Sequence, residues 1–253
     1  PVLWQMLYPG NAPGFSLEIG MRMAGSPFTR PRYIMGSQNR TPGASPGPND
    51  GAWSNSSQQK PSMNFYMRND LGGDPLDFPI IPGSHVSRHS DFRFRAGHND
   101  ISNPFIIDEL MRRMYADTGQ LSSLGIMCTL YINGVYKGFY NLCQHVREEF
   151  LQEAHDSPLA WDVIQRAVPS DGDMIALQEL ITFVRNNPQS SLANFEGTQQ
   201  RLDVINLIDY LLVNIYGVTG DWPHNNWIAP RERSANGRFP SYVSDAEGAF
   251  AGF

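Results

Sequence analysis

Ile126-Met127-Cys128-Thr129-Leu130-Tyr131-Ile132-Asn133-Gly134-Val135-Tyr136-Lys137-Gly138-Phe139-Tyr140-Asn141-Leu142-Cys143 is the stretch on which the reading of the chain turns. Asn-Gly suits the two central positions of a tight hairpin turn, because both need positive φ. Residues 126–132 and 136–143 therefore read as the two arms of an antiparallel hairpin. Simple pairing across the turn sets Cys128 opposite Phe139 and leaves Cys143 about four residues out of register, ~13 Å along a strand. That separation argues against a disulfide, so Cys128 and Cys143 read as two buried free thiols.

On the N-terminal side of the hairpin the pattern is that of strands. Phe15, Leu17, Ile19, Met21 and Met23 alternate with other residues, the period of a half-buried strand. Lys60 opens a second alternating stretch through Met63, Phe65 and Met67, and a third short strand runs through Phe92 and Phe94. Residues 36–59 are rich in Gly, Ser, Pro and Asn without periodicity, which reads as a long loop, either an insertion or a functional flap. Within it, Asn55-Ser56-Ser57 matches a glycosylation sequon.

Ser102-Asn103-Pro104 reads as a helix start, the helix burying Ile107, Leu110, Met111 and Met114 and stopping near Gly119. Beyond the hairpin the pattern predicts helices over 146–154, 173–186 and 203–216, with Asp203 as cap for the last. Strands, one helix, a hairpin and then mostly helices make an α+β chain. The expected division is a sheet-rich part at 1–143 and a mainly helical part at 144–253.

Composition narrows the function classes. The net charge is −6 and only 17% of residues are charged, which argues against a nucleic-acid or anionic-membrane surface. No apolar run reaches the roughly 18 residues a membrane span needs. The 23 glycines and 19 prolines call for many turns. The chain starts at Pro1 without a signal sequence and stops at Phe253 just after an acidic motif, so the expectation is a fragment of a larger multidomain protein.

The chemistry is concentrated late in the chain. Asp221-Trp222-Pro223-His224-Asn225-Asn226 precedes Asp245-Ala246-Glu247. An Asp followed five residues on by an Asn, then by a later Asp, is a phosphotransferase pattern: one carboxylate orients the attacking hydroxyl, while an amide and a second carboxylate hold divalent metal on nucleotide phosphates. Asp221 alone also reads as the cap of a Trp-Pro turn, and Asp245 as an ordinary strand-end acid after Tyr242-Val243. Lys60 and Arg95 are candidate cations for the phosphates, a guanidinium being suited to bidentate contact. A strand-edge lysine, and an ion pair from Arg95 to Asp100 or Asp108, are the plain alternatives. Asp108 and Glu109 read as possible partners of Lys60 or as exposed helical acids. His98 and His224 do not form a metal pair by spacing. Trp222 and Trp227 read as packing or as an aromatic wall.

Five segments in one order carry a family resemblance: Gly20–Met23, Lys60–Ser62, Phe92–Asp100, Tyr131–Leu142 and Asp221–Asn226. Over roughly residues 15–253 the chain resembles the CotH kinase family, the spore-coat H type of atypical protein kinase. The resemblance implies a divergent, two-lobed protein-kinase-like fold with nucleotide at the crease, ATP and Mg²⁺ or Mn²⁺ as cofactors, and a protein substrate phosphorylated on Ser or Thr. It also implies a secreted or surface location.

By position, Asp221 resembles the catalytic-loop Asp and Asp245 the metal-binding Asp, with Asn226 and Glu247 beside the metal. The chain departs from the family pattern in reading Asp-Ala-Glu for Asp-x-Asp, Gln144 for an expected Glu, Ile107 for the Arg before Asp108, and His98 for a Gly. Two rival readings remain. One is a surface interaction module that keeps the fold without activity; the other is a glycoside hydrolase with Asp221 and Asp245 or Glu247 as its two carboxylates.

Overall fold

The structure, a computed structural model, describes residues 1–10, 12–24, 62–67, 73–96 and 106–250. The loop 36–59, the Asn55 sequon, Lys60, His98, Asp100 and the expected helix start at Ser102-Asn103-Pro104 lie outside the described residues. The chain divides into two compact units: Pro1–Phe105 with Leu124–His145, and Ile106–Ser123 with Val146–Phe253. It is an α+β protein.

In chain order the elements are β1 (Val2–Met6), β2 (Phe15–Ala24), β3 (Ser62–Tyr66), β4 (Leu76–Asp77), β5 (Arg88–His89), β6 (Asp91–Arg95), α1 (Ile107–Asp117), β7 (Gly125–Ile132), β8 (Val135–Cys143), α2 (Glu148–Ala154), β9 (Trp161–Gln165), β10 (Val168–Asp171), α3 (Ile175–Asn186), α4 (Leu192–Gln199), α5 (Val204–Tyr216), β11 (Trp227–Glu232) and β12 (Tyr242–Val243).

The first unit is built on a six-stranded sheet in the order β1-β2-β3-β6-β8-β7, every pair antiparallel. Alternation sorts its two faces. Met23, Met63, Phe94, Leu142 and Ile126 follow one another across five strands, and Trp4 packs edge-on against Phe15, Phe65, Phe92 and Phe94. On the other face Arg22, Asn64, Arg93 and Cys143 stand in one row. Burial of the aromatic side holds the sheet together.

The hairpin forms over β7 and β8, with Asn133 and Gly134 at φ 50° and 77° as the Asn-Gly turn requires. Its register differs by one residue from simple pairing: Cys128 faces Tyr140, because Lys137 is an extra residue bulged between the Leu130–Gly138 and Tyr131–Tyr136 pairs. Neither cysteine is in a disulfide; Cys143 is buried and Cys128 only partly so.

In the second unit α2, α3 and α5 lie within two residues of their expected starts. The Asp203 carboxylate accepts the Asn206 N–H at 3.1 Å, the expected cap. The α1 helix, grouped by chain order with the first half, packs instead with α5 and β12 around Met111, Tyr115, Tyr210 and Val243. It starts at Ile107 with no side-chain cap bond and ends at Asp117, near the expected stop at Gly119 (φ 90°).

The unit also holds α4 and a four-stranded antiparallel sheet, β10-β9-β11-β12, of which the sequence reading anticipates only β12, at Tyr242-Val243. The β9–β10 hairpin turns through Arg166 and Ala167 at φ 50° and 60°, residue types that give no turn signal. Pro230 within β11 argues against a strand by rule, yet pairs with Val163.

Two predictions concern stability. Asp203→Ala removes the cap of α5 and should cost about 1 kcal/mol in chemical denaturation. His89 is the second test. Burial holds its imidazole down at about pKa 4, against the opposing pull of Asp91 and Asp77. Its unfolded-state value is higher, so the unfolded chain binds the proton first. The stability it contributes is complete above about pH 6.5 and is lost as pH falls toward 4, on the order of 3 kcal/mol in all. His89→Leu should flatten the pH dependence of unfolding across that window; an unchanged slope would contradict the assignment.

Candidate active site

The site is built where α5 ends. The helix closes at Gly217, and the chain then runs through Val218, Gly220 and Asp221 to Asn226 before entering β11. Three of these residues adopt left-handed backbone without being glycine: Val218 (φ 48°), Asp221 (φ 61°) and Asn226 (φ 57°). Asp and Asn tolerate this region better than other side chains, while a β-branched residue there is an outlier. The Trp222–Pro223 bond is cis. Asp221 is anchored by its main chain, its carbonyl accepting the Asn225 N–H at 2.8 Å.

The acidic motif lies alongside. Trp227 pairs with Val243 in the sheet, the Asn226 Nδ2 donates to the Asp245 carbonyl at 3.1 Å, and the Gly220 N–H donates to the Gly248 carbonyl at 3.3 Å. The two loops are therefore tied at both ends of the segment bearing Asp221. Gly220 and Gly248 permit this, since a Cβ on Gly220 would sit 3.3 Å from the Gly248 carbonyl oxygen. Asp245 is itself left-handed, at φ 58°.

Beneath the loops is an apolar cluster of Ile107, Met111, Tyr115, Tyr210, Val213, Val243, Ala246 and Ala249, with Trp222 and Trp227 packed on it. Trp222 Nε1 donates to the Tyr210 hydroxyl at 2.9 Å. Burial holds the Tyr210 phenol well above its ordinary pKa, so it stays protonated. Both tryptophans thus serve packing. The Met111 and Met114 stripe is core as well.

Exposure differs among the acids. The Asp221 side chain is 71% exposed, with His224 Nε2 at 3.9 Å from Oδ1. Asp245 and Asn226 are half-buried, and Glu247 is buried. Arg95 is buried in the first unit, on β6 opposite Asn141. Gln144 is consumed structurally in that unit: Oε1 accepts the Leu124 N–H at 3.0 Å and Nε2 donates to Ser84 Oγ at 2.8 Å.

Asp108 and Glu109 are buried rather than exposed, and both engage Arg112 within the second unit, at 3.1 and 2.8 Å. Asp108 Oδ1 also accepts the Ala246 N–H at 2.8 Å, between the two acids of the motif. Spacing gave no hint of this bond, which joins residues 138 apart.

Among the described residues no three His, Cys, Asp or Glu side chains gather to hold a metal. Mg²⁺ asks less than that: it keeps several waters and commonly takes one or two carboxylates plus substrate phosphates. The oxygen donors of Asp245 and Asn226, on adjoining backbone, fit such a hard cation. No helix among the described residues is long and apolar enough to cross a membrane.

The family model described as CotH kinase protein matches residues 55–253, well over half of the chain. The chain belongs to the CotH kinase family. A search of the curated proteins finds no match. The matched region takes in both of the paired loops, the Asp221 segment and the Asp245 segment.

The Asn226–Asp245 tie can be tested by separating its two components. Asn226→Gly keeps the left-handed backbone and loses only the amide bond, which should cost about 1 kcal/mol. Asn226→Ala loses both and should cost about 1 kcal/mol more. Equal melting temperatures for the two variants would contradict a strained tie.

Proposed function

We propose that this protein is an atypical, metal-dependent protein kinase that transfers the γ-phosphate of ATP to a Ser or Thr hydroxyl. The supporting observation is the pairing of the two CotH motif loops, which sets the Asp221 segment beside the Asp245 segment through the Asn226 and Gly220 hydrogen bonds. Phosphoryl transfer is mainly positioning and electrostatics, so a rigid frame for these groups is the central requirement.

In this reading Asp221, open to solvent, accepts a hydrogen bond from the incoming hydroxyl and orients its oxygen. Asp245 and Asn226, with Glu247 beside them, hold the divalent metal. When bound, the metal neutralises developing charge on the phosphates. Lys60 or Arg95 supplies the cation for the phosphates, in a kinase-like, two-lobed domain. By the same resemblance the protein belongs to a larger secreted or surface-attached chain.

The test is incubation with labelled ATP and Mg²⁺ or Mn²⁺. Asp221→Asn should fold with an unfolding transition close to the parent's. Asp245→Ala should fold about 1 kcal/mol less stably, because Ala then sits at φ 58°. Both should lose transfer by at least ~10²-fold. Equal label in all three chains would reject the assignment. A fold retained without activity is distinguished by ligand-induced stabilisation. Nucleotide and metal at a hundredfold above the dissociation constant should raise parent stability by about 2.7 kcal/mol.

A further inference from the structure

The strap that carries the acidic motif, residues 241–248, is held by buried side chains from two helices. At its start, Asn206 on α5 accepts the Ser241 N–H at 2.7 Å, and the Tyr115 hydroxyl on α1 donates to the Ser241 carbonyl at 2.8 Å. Asn206 Nδ2 completes the link by donating to the Tyr115 hydroxyl at 2.6 Å. At the motif itself the partner is Asp108, whose Oδ1 accepts the Ala246 N–H at 2.8 Å in a buried setting. Ala246 has no exposure at all. Its N–H belongs to the Asp245–Ala246 peptide, so holding that peptide constrains the backbone from which Asp245 leaves.

Asp108 is itself held by Arg112, which is only 2% exposed. The guanidinium also reaches Glu109 at 2.8 Å and the Ser123 carbonyl at 2.6 Å. Asp108 therefore has one oxygen for the motif and one for its own support.

We infer that Asp108 is a positioning residue for Asp245, acting through the Asp245–Ala246 peptide rather than by contact with ligand. This rests on the kinase reading above. Helix α1 sets the direction of Asp245 through one charge-assisted hydrogen bond to a backbone amide, the stronger kind of hydrogen bond. Groups that orient a ligand without touching the metal typically control metal affinity by 10–100-fold.

Two variants separate positioning from simple loss of stability. Asp108→Ala removes both the acceptor and the partner of Arg112. Asp108→Asn also loses the charge facing Arg112 but keeps an oxygen able to accept the Ala246 N–H. Two readouts apply to the whole chain: exchange protection of the Ala246 amide, and the dissociation constant of Mn²⁺ with a non-hydrolysable ATP analogue.

In Asp108→Ala the protection should fall and the Mn²⁺ constant should weaken by at least ~10-fold. In Asp108→Asn protection should persist and affinity should stay within about threefold of the parent, although both variants lose thermal stability. Metal affinity that tracks melting temperature across the two variants would overturn the inference, as would parent-like affinity in Asp108→Ala. A parent chain that binds no Mn²⁺–nucleotide at all would overturn the kinase reading and this inference with it. That failure is recognised by an Ala246 amide that is still protected.

Discussion

A guanidinium taken almost wholly out of water must find compensation within the protein, and in the second unit Arg112 imposes that condition. Leaving a buried charge unpaired costs several kcal/mol, far more than an exposed ion pair contributes. Arg112 meets two carboxylates and two carbonyls, those of Asp108 and Ser123, all from α1 or the loop after it. That local arrangement determines where the Asp108 carboxylate sits. The Ala246 peptide must come to it, and β12 with the acidic motif follows. The same requirement explains why Asp108 and Glu109, which look like exposed helical acids in the sequence, are buried.

One set of polar groups beside this frame is matched rather than merely enclosed. Tyr115, Asn206, Gln120, Asp209 and Ser241 form one connected set: Gln120 Nε2 donates to Asp209 at 2.6 Å, and Asn206 Nδ2 donates to Gln120 Oε1 at 3.1 Å as well as to Tyr115. Such a network, with Tyr115 and Asn206 buried at its centre, permits few alternative packings. The first unit relies on the opposite device. Its sheet is held by an aromatic face centred on Trp4, and its row of polar side chains lies on the other side. The Asp221 and Asp245 segments of the second unit are thus set in the more directional of the two frameworks.

Periodic and local features were legible in the sequence. The alternation of β2, the Asn133-Gly134 turn, the Asp203 cap and the Gly119 stop are each written within a few neighbouring residues, and each is present. What was not legible depended on distant partners or unusual turn chemistry. No local signal announces a β9–β10 hairpin turned by Arg166-Ala167, and a bulge at Lys137 shifts a register that loop length alone would fix otherwise. At the candidate site the two motifs were readable as motifs, and their side-by-side placement is a matter of the fold. The Asp108–Ala246 bond was invisible because nothing in spacing links a helix's second residue to an amide so far along the chain.

Left-handed backbone gives the last constraint. Val218, Asp221, Asn226, Asp245 and Phe250 all have φ between 48° and 61°, concentrated on the two paired loops and the turn that follows them. Glycine would adopt that conformation without steric cost, and it is used where close approach is the only need, at Gly220 and Gly248. At 221, 226 and 245 the chain instead carries a carboxylate, an amide and a carboxylate, each aimed from a backbone that other side chains enter with difficulty. Strain of this kind persists only where surrounding structure enforces it, and it gathers at sites where side-chain direction matters. Here the enforcement is identifiable: the Asn226–Asp245 and Gly220–Gly248 hydrogen bonds from one side, and Asp108 from below. Asp and Asn are the non-glycine residues that enter this region most readily, so the backbone admits them at 221, 226 and 245, and the three ties fix where each of them stands.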